Sequence, residues 1–258
     1  MRVADYAGRA VIVTGGTRGI GAGIARAFLE AGAQVLVCGR TEPPDATPLL
    51  GADGRTAVFT RADVRDPAQA QRLVGEAAGR FGRLDVVVSN AGGSPAAAAA
   101  AASPRLHAKV IELNLIAPLH VAQAANAVMQ GQAGGGSIIM IGSVSGTRPS
   151  PGTAAYGAAK AGLHHLTTSL AVEWAPKVRV NSVVPGPVAT EAAAAAHYRA
   201  AGGAAAVAGT VPLGRLTTPD DVADACLFLA SPLAASVSGA SLLLHGGGER
   251  PAYLGGGS

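Results

Sequence analysis

The sequence predicts an α/β fold in which one parallel sheet is covered by helices on both faces. Short apolar runs rich in β-branched residues alternate with longer, alanine-rich stretches of helical periodicity. The apolar runs are nearly continuous, as is typical of parallel strands buried on both faces. No linker or change of composition divides the chain. We therefore expect a doubly wound, seven-stranded parallel sheet in a single domain that spans residues 1–258.

The elements follow one another along the chain in a regular order. Strands are predicted at 10–14, 34–39, 56–60, 84–89, 137–142, 178–184 and 241–245. Helices are predicted near 19–31, 67–81, 104–129, 153–175 and 219–230. The third helix has a clear start signal, because Ser103 is a good N-cap residue and Pro104 suits the first helical position. Of two alanine-rich patches, we expect 96–102 to connect a strand to a helix and 192–209 to be a mobile insertion.

Composition and charge exclude several classes of function. Hydrophobic residues make up 49% of the chain and charged residues 14%, which indicates a globular protein rather than a disordered one. The net charge of +4 comes from scattered arginines without a dense basic run, so we expect no nucleic-acid partner. No apolar run of ~18 residues predicts a membrane span, and the N-terminus lacks a signal-peptide layout. A cytoplasmic protein without a membrane partner is expected.

The cysteines and histidines predict no metal site. Cys38 and Cys226 fall inside a predicted strand and a predicted helix, where they are interpreted as small buried hydrophobes in a reducing compartment. The six histidines show no metal-ligand spacing, and the adjacent His164 and His165 point to different sides of a helix.

A glycine-rich turn joins the first strand to the first helix. Its sequence is TGGTRGIG, from Thr14 to Gly21. Gly15 lets the turn close, while Gly19 and Gly21 allow the backbone to approach a pyrophosphate and the helix to pack closely on the strand. The helix N-terminus adds N–H donors and the positive end of its dipole. The motif therefore predicts a Rossmann-like dinucleotide site.

A second motif, YGAAK, places Tyr156 and Lys160 four residues apart on a predicted helix. The two side chains therefore share a helix face, and the ammonium lies near the phenol. A motif this short is weak evidence when it stands alone, because it also arises by chance.

The spacing T-G-x-x-x-G-x-G, together with further motifs in the same order, resembles the short-chain dehydrogenase/reductase family over nearly the whole chain. The further motifs are ADV (62–64), SNAG (89–92), ELNLIAP around Asn114, IGSVSG around Ser143, YGAAK and PGPVAT (185–190). The 13-residue separation between Ser143 and Tyr156 also agrees with the family (156 − 143 = 13). Ser89 departs from it, because the family has asparagine at that position.

The resemblance implies a catalytic tetrad of Asn114, Ser143, Tyr156 and Lys160. Tyr156 would transfer a proton to or from the substrate oxygen, with its pKa lowered from ~10 by Lys160 and by an oxidised nicotinamide. Ser143 would hydrogen-bond the same oxygen, and Lys160 would also hold the nicotinamide ribose. Asn114 would anchor a water relay to Lys160, although from the residues alone a solvent-facing or back-bonded asparagine is an equally good interpretation.

The resemblance also implies which residues contact the cofactor. They are Gly15, Thr17, Arg18, Gly19, Ile20, Gly21, Arg40, Thr41, Asp63, Val64, Asn90, Ala91, Gly92, Tyr156, Lys160, Pro185, Gly186, Val188 and Thr190. Asp63 would meet the adenine ring, and 185–190 would cradle the nicotinamide carboxamide.

The end of the second strand predicts which cofactor is preferred. A site for NAD(H) generally has an acid there, but Cys38 occupies this position. Arg40 and Arg18 could bind a 2′-phosphate, so we expect NADP(H) to be preferred, with NAD(H) possible. The alternative is that Arg40 is an ordinary loop arginine that stacks on adenine without selecting a cofactor.

The expected reaction interconverts a ketone and a secondary alcohol. Ketoacyl thioesters, steroid-like ketones and small cyclic or aromatic ketones remain open, because the substrate lid at about 190–215 is mostly alanine and glycine. Arg148 and His197 could meet an acidic group or could be solvated, and His245 is expected to have a packing role. The alternatives are a non-enzymatic redox sensor or scaffold, and an enzyme for dehydration or epimerisation.

The resemblance further implies a homotetramer. The family forms its main dimer interfaces from two long helices, here 104–129 and 153–175. Both contain more apolar residues than packing on one sheet face requires, so each could bury a second face against another copy.

Overall fold

The computed structural model describes residues 5–42 and 54–248. Within them, seven strands form one parallel sheet in the order β3-β2-β1-β4-β5-β6-β7. The strands are β1 (Ala10–Thr14), β2 (Gln34–Gly39), β3 (Val58–Arg61), β4 (Val86–Ser89), β5 (Gly136–Ile141), β6 (Val178–Pro185) and β7 (Ser241–Leu244). The predicted fold class, a doubly wound seven-stranded parallel sheet, is confirmed. Strands β3 and β4 begin two residues later than predicted, at Val58 and Val86.

Eight α-helices lie in the described part of the chain. They are α1 (Gly19–Glu30), α2 (Pro67–Phe81), α3 (Pro104–Ile111), α4 (Ala117–Gly131), α5 (Ala154–Glu173), α6 (Glu191–Ala193), α7 (Ala204–Thr210) and α8 (Pro219–Ala230). A π-helical segment, Glu112–Ile116, joins α3 to α4, so the single helix predicted near 104–129 contains one turn of different geometry. None of the described helices is long and apolar enough to span a membrane.

Both alanine-rich patches take part in connections. Residues 96–102 lie between β4 and α3, as predicted. The patch at 192–209, expected as a mobile insertion, is mostly helical and consists of α6, a π turn at Ala194–Tyr198, a 3-10 turn at Arg199–Ala201 and α7. The high helix propensity of alanine explains why this segment forms short helices.

The sheet separates two hydrophobic layers. Alternate residues of a strand point to opposite faces, so Ile12 packs under α2, α4 and α5, whereas Val11 and Val13 pack under α1 and α8. The first layer includes Leu73, Val121 and Leu163, and the second includes Ile24, Phe28 and Val222. This burial on both faces is the reason why the strands are apolar throughout.

The direction of the sheet order reverses at β1. This strand pairs with β2 on one side and with β4 on the other. In open α/β sheets, ligands bind in the crevice at the carboxyl ends of the strands that flank such a reversal. Here the crevice lies beyond Thr14 and Ser89, the last residues of β1 and β4.

Candidate active site

The glycine turn and the segment after β4 are bonded together at the crevice. Thr14 Oγ1 accepts hydrogen bonds from the N–H groups of Asn90 and Ala91, both at 3.0 Å. Asn90 Nδ2 donates to the carbonyl oxygens of Thr14, at 2.9 Å, and Gly15, at 3.3 Å. These contacts bring together two sets of predicted cofactor residues that are far apart in the sequence.

Two glycines of the turn have different structural roles. A Cβ atom at Gly21 would lie 2.3 Å from the carbonyl oxygen of Gly15 and 2.5 Å from Asn90 Nδ2, so only glycine lets α1 pack this closely. Gly19 has a φ of +53°, and the only atom close to its Cβ position is Thr190 Cγ2, at 3.8 Å. The space above Gly19 is therefore open towards Thr190.

The first turn of α1 has donors available for an anion. Its N-cap residue, Arg18, is extended and makes no side-chain capping bond. The leading N–H groups of a helix without a capping side chain can bind an anion, which the helix dipole also favours. The open space at Gly19 and these donors fit the pyrophosphate of a dinucleotide.

Three of the four predicted catalytic residues form a cluster at the carboxyl end of β5. Ser143 follows β5, and Tyr156 and Lys160 lie in the first two turns of α5. The hydroxyl of Ser143 is hydrogen-bonded to the phenol of Tyr156. Lys160 Nζ lies 5.6 Å from the centroid of the Tyr156 ring. A proton donor, a hydroxyl group and an ammonium group are therefore held together.

Lys160 is almost completely buried, with 4% of its surface exposed. Its Nζ donates a 2.7 Å hydrogen bond to the carbonyl oxygen of Ile141, the last residue of β5. Burial lowers the pKa of Lys160 to about 8, because the charged form loses its hydration.

Asn114, the fourth predicted catalytic residue, is fully buried in the π-helical segment. Its Oδ1 accepts from the N–H of Gly93, and its Nδ2 donates to the carbonyl oxygens of Gly93 and Val110, all at 2.9 Å. The solvent-facing interpretation is therefore wrong. The interpretation of Asn114 as bonded to its own helix is correct, since its amide donates to the carbonyl oxygen of Val110. The same amide also binds Gly93 in the loop after β4.

Gly92 separates Asn114 from Lys160. A Cβ atom at Gly92 would lie 2.8 Å from Asn114 Oδ1 and 3.5 Å from Lys160 Nζ. Any side chain here would disturb the amide of Asn114 and narrow the space beside the ammonium. The structure thus gathers the predicted tetrad around the end of β5 and the loop after β4.

The pKa of Tyr156 is raised from its ordinary value, whereas sequence analysis predicted that it would be lowered. Burial raises it, and the hydrogen bond from Ser143 opposes this rise. The lowering expected from Lys160 is not found, although its ammonium lies 5.6 Å from the centroid of the ring, and burial is the larger effect. Ser143 is the neighbour that favours the phenolate.

Two arginines are candidates to contact a 2′-phosphate, since Arg40 follows β2 and Arg18 precedes α1. Arg18 and Arg40 are exposed, and within residues 5–42 and 54–248 neither forms an ion pair with a carboxylate. The main-chain oxygen of Arg40 accepts a 3.1 Å hydrogen bond from Arg61 Nε. Cys38 is fully buried in the core, as expected, and Thr41 is exposed.

Asp63 already has protein partners where the sequence predicts an adenine contact. Arg65 donates to both carboxylate oxygens, with Nε 2.9 Å from Oδ1, and lowers the pKa of Asp63. The N–H of Asp63 donates to Gln69 Oε1 at 3.0 Å. Val64 packs into the core. An adenine ring would therefore compete with Arg65 and Gln69 for the polar groups of Asp63.

The predicted carboxamide segment, 185–190, is hydrogen-bonded to Tyr198, which lies in the predicted lid. The carbonyl oxygen of Val188 accepts from the Tyr198 hydroxyl at 2.8 Å and from the Thr190 N–H at 2.9 Å. Thr190 Oγ1 caps α6 by accepting from the N–H of Ala193. Sequence analysis missed Tyr198, although a lone tyrosine in an alanine-rich lid was an available signal.

The weaker candidates have simple environments. Arg148 and His197 are exposed. His245 packs against Gly186, where a Cβ atom would lie 3.0 Å from the Cα of His245. Sequence analysis also missed the main-chain groups of Gly93 and Ile141, because main-chain partners have no residue signature.

Comparisons with known proteins identify the family to which the chain belongs. Residues 15–249 match the family model described as Enoyl-(Acyl carrier protein) reductase. An uncharacterized oxidoreductase of Mycobacterium tuberculosis is 39% identical, covering 93% of this chain and 91% of that protein. The cis-4-hydroxycyclohexanecarboxylate dehydrogenase of Sinomonas cyclohexanicum is 38% identical, covering 94% and 97%.

A solved structure gives the same result at the level of the fold. The short-chain type dehydrogenase/reductase from Mycobacterium marinum superposes with a TM-score of 0.87, at 32% identity, over 96% of this chain and 98% of that one. The motifs, the sheet order and these relatives lead to one conclusion. The chain belongs to the short-chain dehydrogenase/reductase family, whose members are oxidoreductases that use nicotinamide dinucleotides.

Proposed function

We propose that the protein is an NADP(H)-dependent oxidoreductase that interconverts a ketone and a secondary alcohol. The observation that carries this proposal is the cluster of Ser143, Tyr156 and Lys160 beside the dinucleotide crevice. A proton donor next to a hydroxyl group suits a substrate oxygen whose charge changes during the reaction. A redox sensor would have no use for this cluster, and the relatives are named as oxidoreductases.

The proposed chemistry assigns proton transfer to Tyr156. A bound nicotinamide cofactor supplies or accepts the hydride. In reduction, Tyr156 donates its phenolic proton to the carbonyl oxygen, and in oxidation it accepts the proton of the alcohol. Ser143 stabilises the developing charge on the same oxygen through its hydroxyl group. The raised pKa of Tyr156 keeps the phenol protonated, which suits the reductive direction.

Lys160 and Asn114 have supporting roles in this proposal. Lys160 presents its ammonium close to Gly92, where it would hold the nicotinamide ribose. Asn114 holds the loop after β4 through Gly93 and would anchor the water that relays protons to Lys160. Gly15, Gly19, Arg18 and the segment 185–190 would hold the rest of the cofactor.

The preference for NADP(H) rests on charge at the end of β2. Arg18 and Arg40 are exposed, and neither forms a salt bridge in the described ranges, although the charge of Arg40 acts on the carboxylate of Asp63. Both guanidinium groups can therefore turn towards a 2′-phosphate. Cys38 provides no carboxylate to bind a free 2′-hydroxyl. One relative, 36% identical, is named L-rhamnose 1-dehydrogenase (NAD(P)(+)), so use of NAD(H) as a second cofactor remains part of the proposal.

The proposed substrates are secondary alcohols or ketones on a ring. Two relatives are named for cis-4-hydroxycyclohexanecarboxylate and for 3α-hydroxysteroids, whose hydroxyl groups are secondary alcohols on a ring. Others are named for the cyclic sugars L-rhamnose and L-fucose, and oxidation at C1 of L-rhamnose acts on a hemiacetal and gives a lactone rather than a ketone. Ketoacyl thioesters stay within the proposal. A second candidate is reduction of the C=C bond of an enoyl thioester, favoured by the description of the matching family model and by a relative named probable 2,4-dienoyl-CoA reductase.

The proposed assembly is a cytoplasmic homotetramer. A groove of about 440 Å³ lies between α4 and α5 and is lined by Leu119, Gln123, Asn126, Leu166, Leu170, Glu173 and Trp174. Its apolar side chains suit burial against a second copy. The buried free cysteines, Cys38 and Cys226, suit a reducing compartment.

The proposal is tested with a substrate panel. The alcohols are cis-4-hydroxycyclohexanecarboxylate, L-rhamnose, L-fucose and a 3α-hydroxysteroid, and the reductive substrates are acetoacetyl-CoA and crotonyl-CoA. Each is assayed with both nicotinamide cofactors by their absorbance. Turnover of cis-4-hydroxycyclohexanecarboxylate, of the 3α-hydroxysteroid or of the ketone in acetoacetyl-CoA supports the proposal. Turnover of L-rhamnose alone, with a lactone as the product, would show oxidation of a hemiacetal instead, and turnover of crotonyl-CoA alone supports the second candidate.

Tyr156→Phe tests the assignment of the proton donor. The variant loses one hydroxyl group and little volume, so we expect turnover to fall by ~10²–10⁴-fold while cofactor affinity is nearly unchanged. Tyr6→Phe is the control, because Tyr6 packs against Phe28 in the other hydrophobic layer. Near-normal turnover by Tyr156→Phe would show that the assignment is wrong.

A further inference from the structure

His164 contacts the catalytic cluster but has no role in the proposed mechanism. It lies on α5, four residues after Lys160, so the two side chains share a helix face. It is partly buried, whereas the adjacent His165 is exposed. The contacts of its ring show what a partly buried histidine could do beside an active site.

The imidazole ring of His164 lies between two glycines of the turn that carries Ser143. A Cβ atom at Gly142 would lie 2.4 Å from His164 Nε2, and one at Gly146 would lie 2.9 Å from His164 Cε1. Both separations are shorter than real Cβ contacts, so only glycine at these positions leaves room for the ring. The ring thus fills the space between α5 and the turn.

Two side chains of α5 bond the main chain on either side of Gly142. His164 Nε2 accepts a long hydrogen bond, 3.5 Å, from the N–H of Ser143. Lys160 Nζ donates a 2.7 Å bond to the carbonyl oxygen of Ile141. Because the Ser143 hydroxyl is bonded to Tyr156, a shift of the Ser143 main chain would disturb that pair.

The contact with Ser143 requires a neutral ring whose proton is on Nδ1. Burial lowers the pKa of His164, and the charge of Lys160 lowers it further. The charged side chains of α3 and of the π-helical segment, which pack against α5, are Arg105, Lys109 and Glu112, and all three are exposed. Neither β5 nor β6 contains a carboxylate. The surroundings therefore favour the neutral form.

We propose that His164 is a positioning residue that holds the main chain of Ser143, so that the Ser143 hydroxyl stays aligned with Tyr156. This inference rests on the proposed roles of Ser143 and Tyr156. Loss of the acceptor nitrogen should lower kcat and leave cofactor affinity unchanged, because His164 acts through Ser143 alone.

The test compares two substitutions of similar volume. His164→Gln keeps an acceptor near the position of Nε2, whereas His164→Met fills the space without one. With the fastest alcohol of the panel, we expect kcat to fall by about three- to ten-fold in His164→Met, as for loss of one neutral hydrogen bond, and by less than about two-fold in His164→Gln. His165→Gln and His165→Met are the matched controls and should match the parent. Equal losses in the two His164 variants, or full kcat in His164→Met, would overturn the proposal.

A second measurement does not depend on turnover or on the stability of the methionine variant. A long-range ¹H–¹⁵N NMR spectrum of the parent shows the histidine rings, and the signal absent from His164→Gln belongs to His164. We expect a neutral ring with the proton on Nδ1 at pH 7. A ring that is protonated on Nε2, or on both nitrogens, could not accept from Ser143 and would also overturn the proposal.

Tyr156→Phe separates this inference from the proposed function. If Tyr156→Phe keeps full turnover, the assignment of Tyr156 as the proton donor fails and the inference about His164 fails with it, whereas the alcohol and ketone activity itself stands. If Tyr156→Phe is inactive while His164→Met keeps full kcat, only the role of His164 is rejected.

Discussion

Asn114 and Gly93 are joined by two reciprocal hydrogen bonds, in which the side-chain amide accepts from the N–H of Gly93 and donates to its carbonyl oxygen, both at 2.9 Å. The buried amide of Asn114 thus satisfies both main-chain polar groups of Gly93, as the neighbouring strand of a sheet would. Because this loop carries Gly92 beside Lys160, the bonds connect the π-helical segment to the proposed catalytic cluster.

Asn114→Asp is expected to destabilise the protein. The carboxylate cannot donate, so the carbonyl oxygens of Gly93 and Val110 lose their side-chain partner. An unsatisfied buried group costs about 1–3 kcal/mol, and urea unfolding should show a decrease of at least that size in the free energy of unfolding. Gln71→Glu on α2, the same change from amide to acid at an exposed position, is the control. Equal stabilities of the two variants would contradict the role of the buried amide.

Lys160→Met should change how the stability of the protein depends on pH. The parent folds with a Lys160 pKa of about 8, below the ~10.4 of an unfolded lysine. Between these two pKa values the unfolded state therefore binds more protons than the folded state, so the free energy of unfolding of the parent rises with pH. Lys160→Met has no group that titrates at this position, so its free energy of unfolding should not show this rise. Urea unfolding at pH 7 to 10 should show the parent gaining stability relative to the variant.

The same variant should also lose activity. Lys160→Met removes the ammonium, so both turnover and affinity for the cofactor should fall, while the folded state at pH 7 is retained. A fluorescence titration with NADPH measures the affinity. A parallel pH dependence of stability in parent and variant would show that Lys160 is not the buried base.

Arg40→Asp should reverse the choice of cofactor. We expect the parent to bind NADPH at least about ten-fold more tightly than NADH, a difference of ~1.4 kcal/mol, because Arg40 and Arg18 would both contact the 2′-phosphate. The variant repels the phosphate and offers an acceptor to a 2′-hydroxyl. Arg26→Asp, an equal change of charge at an exposed position on α1, is the control and should keep the parent preference. Equal binding of both cofactors by the parent would contradict the assignment.

Asp85→Asn should alter acid stability without altering catalysis. Although burial opposes its ionisation, hydrogen bonds from Arg83, Ala10 and Arg9 lower the pKa of Asp85. Ionised Asp85 therefore stabilises the folded state above the unfolded pKa of ~3.9, and this stabilisation is lost as the pH falls through the lower pKa of the folded state. We expect the variant to lose about 2 kcal/mol at pH 7 and much less near pH 2 in urea unfolding. An unchanged kcat is expected, since Asp85 precedes β4 at the end of the sheet away from the site.

Gln123→Arg should weaken the proposed assembly. Gln123 is exposed on α4 and lines the groove between α4 and α5, so an arginine would place an unpaired charge in the interface without disturbing the core. Light scattering should give a tetramer mass for the parent and a smaller mass for the variant. Gln71→Arg on the exposed face of α2 is the matched control and should match the parent. A monomer mass for the parent at micromolar concentration would contradict the proposal.

Local periodicity accounts for the accuracy of the predicted fold. Runs such as Ala10–Thr14 are apolar at every position because both faces of the sheet are covered, and this property is visible in the residues themselves. β3 and β4 start later than predicted because the length of a strand depends on which residues of the neighbouring strand pair with it, for example Leu36 with Val58. The π-helical segment at Glu112–Ile116 was not predicted, because its residues fit an α-helical pattern equally well.

Residues close together in the chain were enough to predict the fold class, the glycine turn and the spacing that puts Tyr156 and Lys160 on one helix face. The direction of the pKa shift of Tyr156, the hydrogen bond from Lys160 to Ile141 and the orientation of Asn114 became visible only in the folded chain. Those properties depend on burial and on main-chain groups brought together by the sheet. A main-chain carbonyl has no residue signature, and loss of hydration depends on how the whole chain packs.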